Sequence, residues 1–156
     1  MNTNEKRKGA FFMENTDTVK LLRECDAGSK MAVSSIDDVL EMVKDSKLLS
    51  LLKESKAHHE ELGNEIHRTL NRFQVEEKDP SPMAKGMSWM KTNVKISMDH
   101  SDATVADLLT DGCHMGIKSL HRYMNQYKNA DHVAKELCGR LIAIEEELCK
   151  ELRKYL

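Results

Sequence analysis

Two runs, DTVKLLRECDAGSKMAVSSIDDVL (residues 17–40) and SKLLSLLKESKAHHEELGNEIHRTLNRF (residues 46–73), decide how this chain folds. In and just beyond the first, Val19, Leu22, Asp26, Ser29, Val33, Ile36, Leu40 and Val43 recur at alternating steps of three and four, which holds side chains on one helix face. In the second, Leu48, Leu52, Ser55, His59, Leu62, Ile66, Thr69 and Phe73 repeat the pattern. Each seam is apolar except near its middle, where Asp26 and Ser29 interrupt one and Ser55 and His59 the other, with Thr69 a milder exception. An unpaired polar group on a packed seam costs about 1 to 3 kcal/mol. The polar centre is therefore a site or a hydrogen-bonded network.

Working outward, Asp45 or Ser46 caps the second helix after almost no loop, which makes the two helices antiparallel neighbours. The first helix is expected to begin after Asn15 or Thr16 and end near Lys44, the second to reach Val75. Residues 1–14 lack periodicity and read as a disordered or loosely packed extension from an over-called translation start, leaving 15–156 as one bundle domain. The small residues Ala27, Gly28, Ser29, Ala32, Ser34 and Ser35 permit close helix approach. Asp79-Pro80-Ser81-Pro82 punctuates a loop, followed by a shorter helix, about Met83 to Met98, whose methionine stripe with Trp89 suits adaptable packing. Ser101 then caps a helix to about Tyr127, and a last one begins after Asn129 with Val133, Leu137, Leu141, Ile144, Leu148 and Leu152 as a wholly apolar seam. The expected fold is all-α: an up-down four-helix bundle with a shorter helix in the crossover between helices two and three.

Composition agrees, since 32% of the 156 residues are charged and only 4% aromatic, which suits solvated helices around an aliphatic core. A net charge of −2 with signs interspersed offers no basic stripe, so nucleic acid is not the expected partner. Cys25, Cys113, Cys138 and Cys149 stand singly inside helical segments and read as reduced core residues of a cytoplasmic protein. No apolar run approaches the ~20 residues that a membrane helix needs.

The near-loopless first hairpin, Met87-Ser88-Trp89-Met90-Lys91, Leu108-Leu109-Thr110-Asp111-Gly112, Ser119-Leu120-His121-Arg122-Tyr123 and the run Glu145 to Leu156 together resemble the ferritin-like superfamily, in particular its uncharacterised, stress-associated bacterial bundles. The resemblance extends from about Val19 onward and implies that fold. Its iron-handling members carry a lone Glu on each of two helices and Glu-x-x-His on the other two. No glutamate here has a histidine three residues later, so that ligand set does not carry over. The nearest match, Asp111 to His114, shares a polar stripe with Asp107, Lys118 and His121 and reads as a solvated face.

Two arrangements of the polar centre follow. In one, His59 is a neutral core histidine in a network with Ser29, Ser35 and Ser55, and Asp26 reaches Lys30 or solvent at the bundle edge. In the other, Asp26 and His59, with Cys113 or Glu54, form an atypical site for a divalent metal. With the hairpin centred on Asp45, residue numbers at one height sum to about 90, which puts Ser29 about 3 Å and Asp26 about 7 Å from the level of His59. Burial should lower the His59 pKa unless Asp26 reaches it. The functional expectation is a non-catalytic binding or structural module with a polar core in place of a di-iron site, no cofactor, and self-association through an exposed helix face. The alternative is an atypical metal-binding member of the superfamily, storing metal or acting as an oxidase.

Overall fold

Asp45 and Ser101 cap helices, as their short polar side chains suggest: Asp45 accepts from the N–H groups of Lys47 and Leu48, and Ser101 from that of Thr104. The computed structural model describes residues 2–73, 93 and 99–156, with backbone alone at residues 12–14. Four helices appear among them: α1 (Thr3–Leu40), α2 (Ser46–Asn71), α3 (Asp102–Gln126) and α4 (His132–Leu152), the last continuing into a 3-10 turn, Arg153–Tyr155. No strand occurs among the described residues. The expected proline loop lies outside them, as does the shorter Met/Trp helix apart from Asn93, which is helical.

Four boundaries differ from expectation. α2 ends at Asn71 instead of reaching Val75, and Arg72 and Phe73 donate to the carbonyls of Thr69 and Leu70 in a turn. α1 starts at Thr3, not after Asn15 or Thr16, so residues 3–11 prolong it as an exposed extension. It also ends at Leu40, where Met42 and Val43 donate to the carbonyls of Val39 and Leu40 and close a tight turn. α4 is capped by Asp131, whose carboxylate accepts from the Ala134 N–H at 2.8 Å, instead of by Asn129.

Two turns fix the helix directions. Asp102 accepts from the N–H groups of Lys44 and Asp45, both at 2.8 Å, so α3 begins beside the α1–α2 turn. At the other end, Asp17 and the Thr18 hydroxyl accept from the N–H groups of Asn129 and Asp131, placing the α3–α4 turn beside α1. α1 and α4 therefore run one way and α2 and α3 the other, an up-down-down-up order. α1 packs against all three other helices, and α4 likewise.

The core is divided. One cluster, with Leu21, Leu22, Leu62, Ile66, Leu137 and Leu141, fills the end near the α3–α4 turn. A second, with Ile36, Val39, Leu48, Leu52, Leu109 and Leu152, fills the end near the α1–α2 turn. Between them sits a layer of buried polar groups: Asp26, Ser29, Ser55, His59 and Glu145. All four cysteines are buried with free thiols.

Candidate functional site: a polar waist beneath an apolar groove

The waist is centred on His59, whose relative exposure is 0%. Its Nδ1 lies 2.7 Å from the carbonyl oxygen of Ser55, one turn earlier on α2. A carbonyl can only accept, so Nδ1 carries a proton and donates it there. The other ring nitrogen, Nε2, lies 3.2 Å from Oε1 of Glu145 on α4. With Nδ1 committed, Nε2 can donate to the Glu145 carboxylate only if it too carries a proton, which makes the ring an imidazolium. Burial alone pushes the His59 pKa down, but the hydrogen bond and charge of Glu145, helped by the Ser55 carbonyl, outweigh it, and the net direction is up. The expected downward shift is thus reversed, by Glu145 instead of Asp26.

Glu145 lies off the apolar seam Val133, Leu137, Leu141, Ile144, Leu148 and Leu152 that the sequence suggests for α4. The buried face of α4 in fact runs Ala134, Cys138, Leu141, Glu145, Leu148 and Leu152, in steps of four and three. Ile144 and Val133 lie off this line, and Val133 is 40% exposed. Spacing alone does not decide, since steps of four and three counted on from Leu137 reach Ile144 and counted back from Leu152 reach Glu145. The gap that accommodates it comes from α3, where a Cβ on Gly116 would stand 3.7 Å from the carboxyl carbon. The Cys113 thiol, raised in pKa by burial and then by the charge and hydrogen bond of Glu145, is the other neighbour of this carboxyl group.

The remaining expected residues are dispersed. Asp26 binds Lys30 Nζ at 2.8 Å and His67 Nδ1 at 3.2 Å, and so sits at the α1–α2 edge, away from His59. Ser29 donates to the Asp26 carbonyl and packs against Gly63, where an added Cβ would come within 2.8 Å of the serine Oγ. The pairs Asp26–His67, Ser29–Gly63 and Asp37–Lys56 have numbers summing to 92 or 93, so Ser29 is level with Gly63, about a turn from His59. Of the expected network, only Ser55 bonds His59, through its carbonyl, with its hydroxyl 3.4 Å from Nδ1. Ser35 faces the groove between α1 and α3, and Glu54 is exposed. Among the described residues, no group of three or more His, Cys, Asp or Glu side chains is arranged to hold a metal ion. Asp107, Asp111, His114, Lys118 and His121 are exposed, as a solvated stripe requires.

Above the waist lies a cavity of about 250 Å³ between α1 and α3, floored by Leu141, Glu145 and Leu148 of α4. Ala27, Gly28 and Ala32 of α1 and Gly112, Gly116 and Ser119 of α3 line its walls, with Met31, Ile36, Leu109 and Leu120 supplying apolar bulk. The small-residue stretch of α1 thus opens a groove here as well as allowing close approach to α2. Glu24 and Tyr123 close one end, where burial raises the Glu24 pKa against the opposing hydrogen bond from Tyr123. A second, more polar cleft between α1 and α2 is lined by Lys30, Asp37, Glu60 and His67.

Compared with known proteins, the chain matches no family model, no curated protein and no solved structure. The class that the observed features define is a four-helix bundle whose core is split by a buried His–Glu pair.

Proposed function

We propose that this protein is a non-catalytic binding module of ferritin-like type, with the His59–Glu145 pair in place of a di-iron centre and the groove between α1 and α3 as the receptor for a small, largely apolar molecule. The observation that carries this reading is the groove: about 250 Å³, apolar in most of its lining, with one buried ionisable pair at its floor. A concave apolar site with few convergent polar groups is the usual form of a small-molecule site. The ferritin-like assignment is supported by the up-down-down-up helix order, which suits a bundle with one crossover.

Calorimetric titration with octan-1-ol, a neutral ligand of suitable size, tests the receptor reading. Saturable binding is expected, weakened at least tenfold by Gly112→Leu, which projects a side chain from a wall position where an added Cβ meets nothing within 4 Å. No saturable binding to wild type, or unchanged binding to a folded Gly112→Leu protein, would refute it.

A further inference from the structure

We propose that the ligand of this groove is a primary alkylammonium of about eight carbons, its head on Glu145 and its chain along the apolar walls, an inference that rests on the receptor reading above.

The charge of the lining is one-sided. Among the described residues, Glu24 and Glu145 are its acidic groups, and no Lys, Arg or His lines it. His59 lies behind Glu145, bonded to its Oε1, and is not itself among the lining residues. Among the described residues the lining thus bears acidic groups with no basic one beside them, which favours a cation over an anion. A fatty carboxylate would instead bring a third acid into a low-dielectric space that lacks a counter-charge.

The polar geometry agrees. With its Nε2 proton on the ring, His59 occupies one side of the Glu145 carboxyl group, and among the described residues the Cys113 thiol, a weak donor, is its other polar neighbour. The carboxylate retains capacity for a strong, charge-assisted donor. An ammonium, which has three donors and no acceptor, suits that carboxylate. An alcohol head brings one donor, and a quaternary ammonium none.

Size sets the chain. A cavity of about 150 Å³ accepts benzene, so by proportion about 250 Å³ holds roughly ten heavy atoms. An eight-carbon amine has nine.

Calorimetry on the full chain near neutral pH with octylamine, octan-1-ol and octanoate separates this inference from the one beneath it. Octylamine is expected to bind about tenfold or more tighter than octan-1-ol, as one charge-assisted hydrogen bond would give. Octanoate should bind weakest. In folded Glu145→Gln the ratio of octylamine to octan-1-ol affinity should fall to within about threefold of one, whatever the affinity for the alcohol itself. Equal affinities for amine and alcohol, tighter octanoate, or an amine preference that survives in Glu145→Gln would overturn the alkylammonium assignment with the groove still a receptor. Failure of all three ligands to bind would overturn both.

Discussion

Glu145 turns a buried histidine from a packing curiosity into half of an ion pair. Removing either member leaves the other buried without its partner, and breaking a buried pair in this way costs about 3 to 5 kcal/mol, whereas replacing both with apolar groups is often neutral or stabilising. His59→Leu and Glu145→Met should each lower stability by about that amount, and the double variant should recover most of it. Denaturant unfolding of the three proteins checks this; additive losses would mean that the contact is not a coupled pair. The same pair dictates a pH response. The folded His59 pKa lies above the ordinary value of 6.5, so the fold binds this proton more tightly than the unfolded chain does. Its stabilisation is then complete below about pH 6.5 and is lost as pH rises through the folded value. Melting temperatures of wild type should fall over that rise relative to those of His59→Gln; parallel curves would show that the proton is not held preferentially in the fold.

At the scale of the helices, much was legible because packing repeats. The faces Leu22–Asp26–Ser29–Ile36 and Leu48–Leu52–Ser55–His59–Leu62–Ile66 are buried as their spacing demands. α4 was less legible because Ile144 and Glu145 both lie within one turn of Leu141 and Leu148, and apolarity favoured Ile144. Only contact with His59, contributed by a helix 86 residues away in sequence, makes a glutamate tolerable on that line. The partner of Ser29 was missed for a geometric reason: moving the hairpin centre by about one residue changes which residues face each other across it by two. Glycines report this close fit directly. Gly63→Ala would drive a methyl group to 2.8 Å from Ser29 Oγ and 3.2 Å from its Cβ. The resulting strain, about 1 to 3 kcal/mol, should outweigh the helix-propensity gain of at most ~1 kcal/mol. Gly139→Ala meets nothing within 4 Å and should stabilise by about 0.5 to 1 kcal/mol. Thermal melts distinguish them, and shifts of the same sign would contradict the packing described at Gly63.

For the whole molecule, bundle order rests on a few side chains that join one hairpin to the other. Asp102 holds both N–H groups of the α1–α2 turn while lying in the first turn of α3, where a negative charge also complements the helix dipole. Asp102→Ala should cost about 1 to 2 kcal/mol, and hydrogen exchange should quicken at Lys44 and Asp45 before it does in α2. Unchanged protection at both amides would rule out the tie. Such links are hard to read from sequence, since nothing local to Asp102 announces a turn 57 residues earlier.

The division of the core also governs alignment. Leucine-rich helices can slide past one another by a heptad and still bury aliphatic surface, because each seam repeats. If α4 moved seven residues along α2, about 10 Å, Cys138 or Leu152 would stand opposite His59 in place of Glu145. Both ionisable groups would then face hydrocarbon, each without the other. The pair therefore acts as an index mark along the bundle axis: it penalises slipped registers more than it strengthens the correct one, as a single buried polar residue does in a coiled coil.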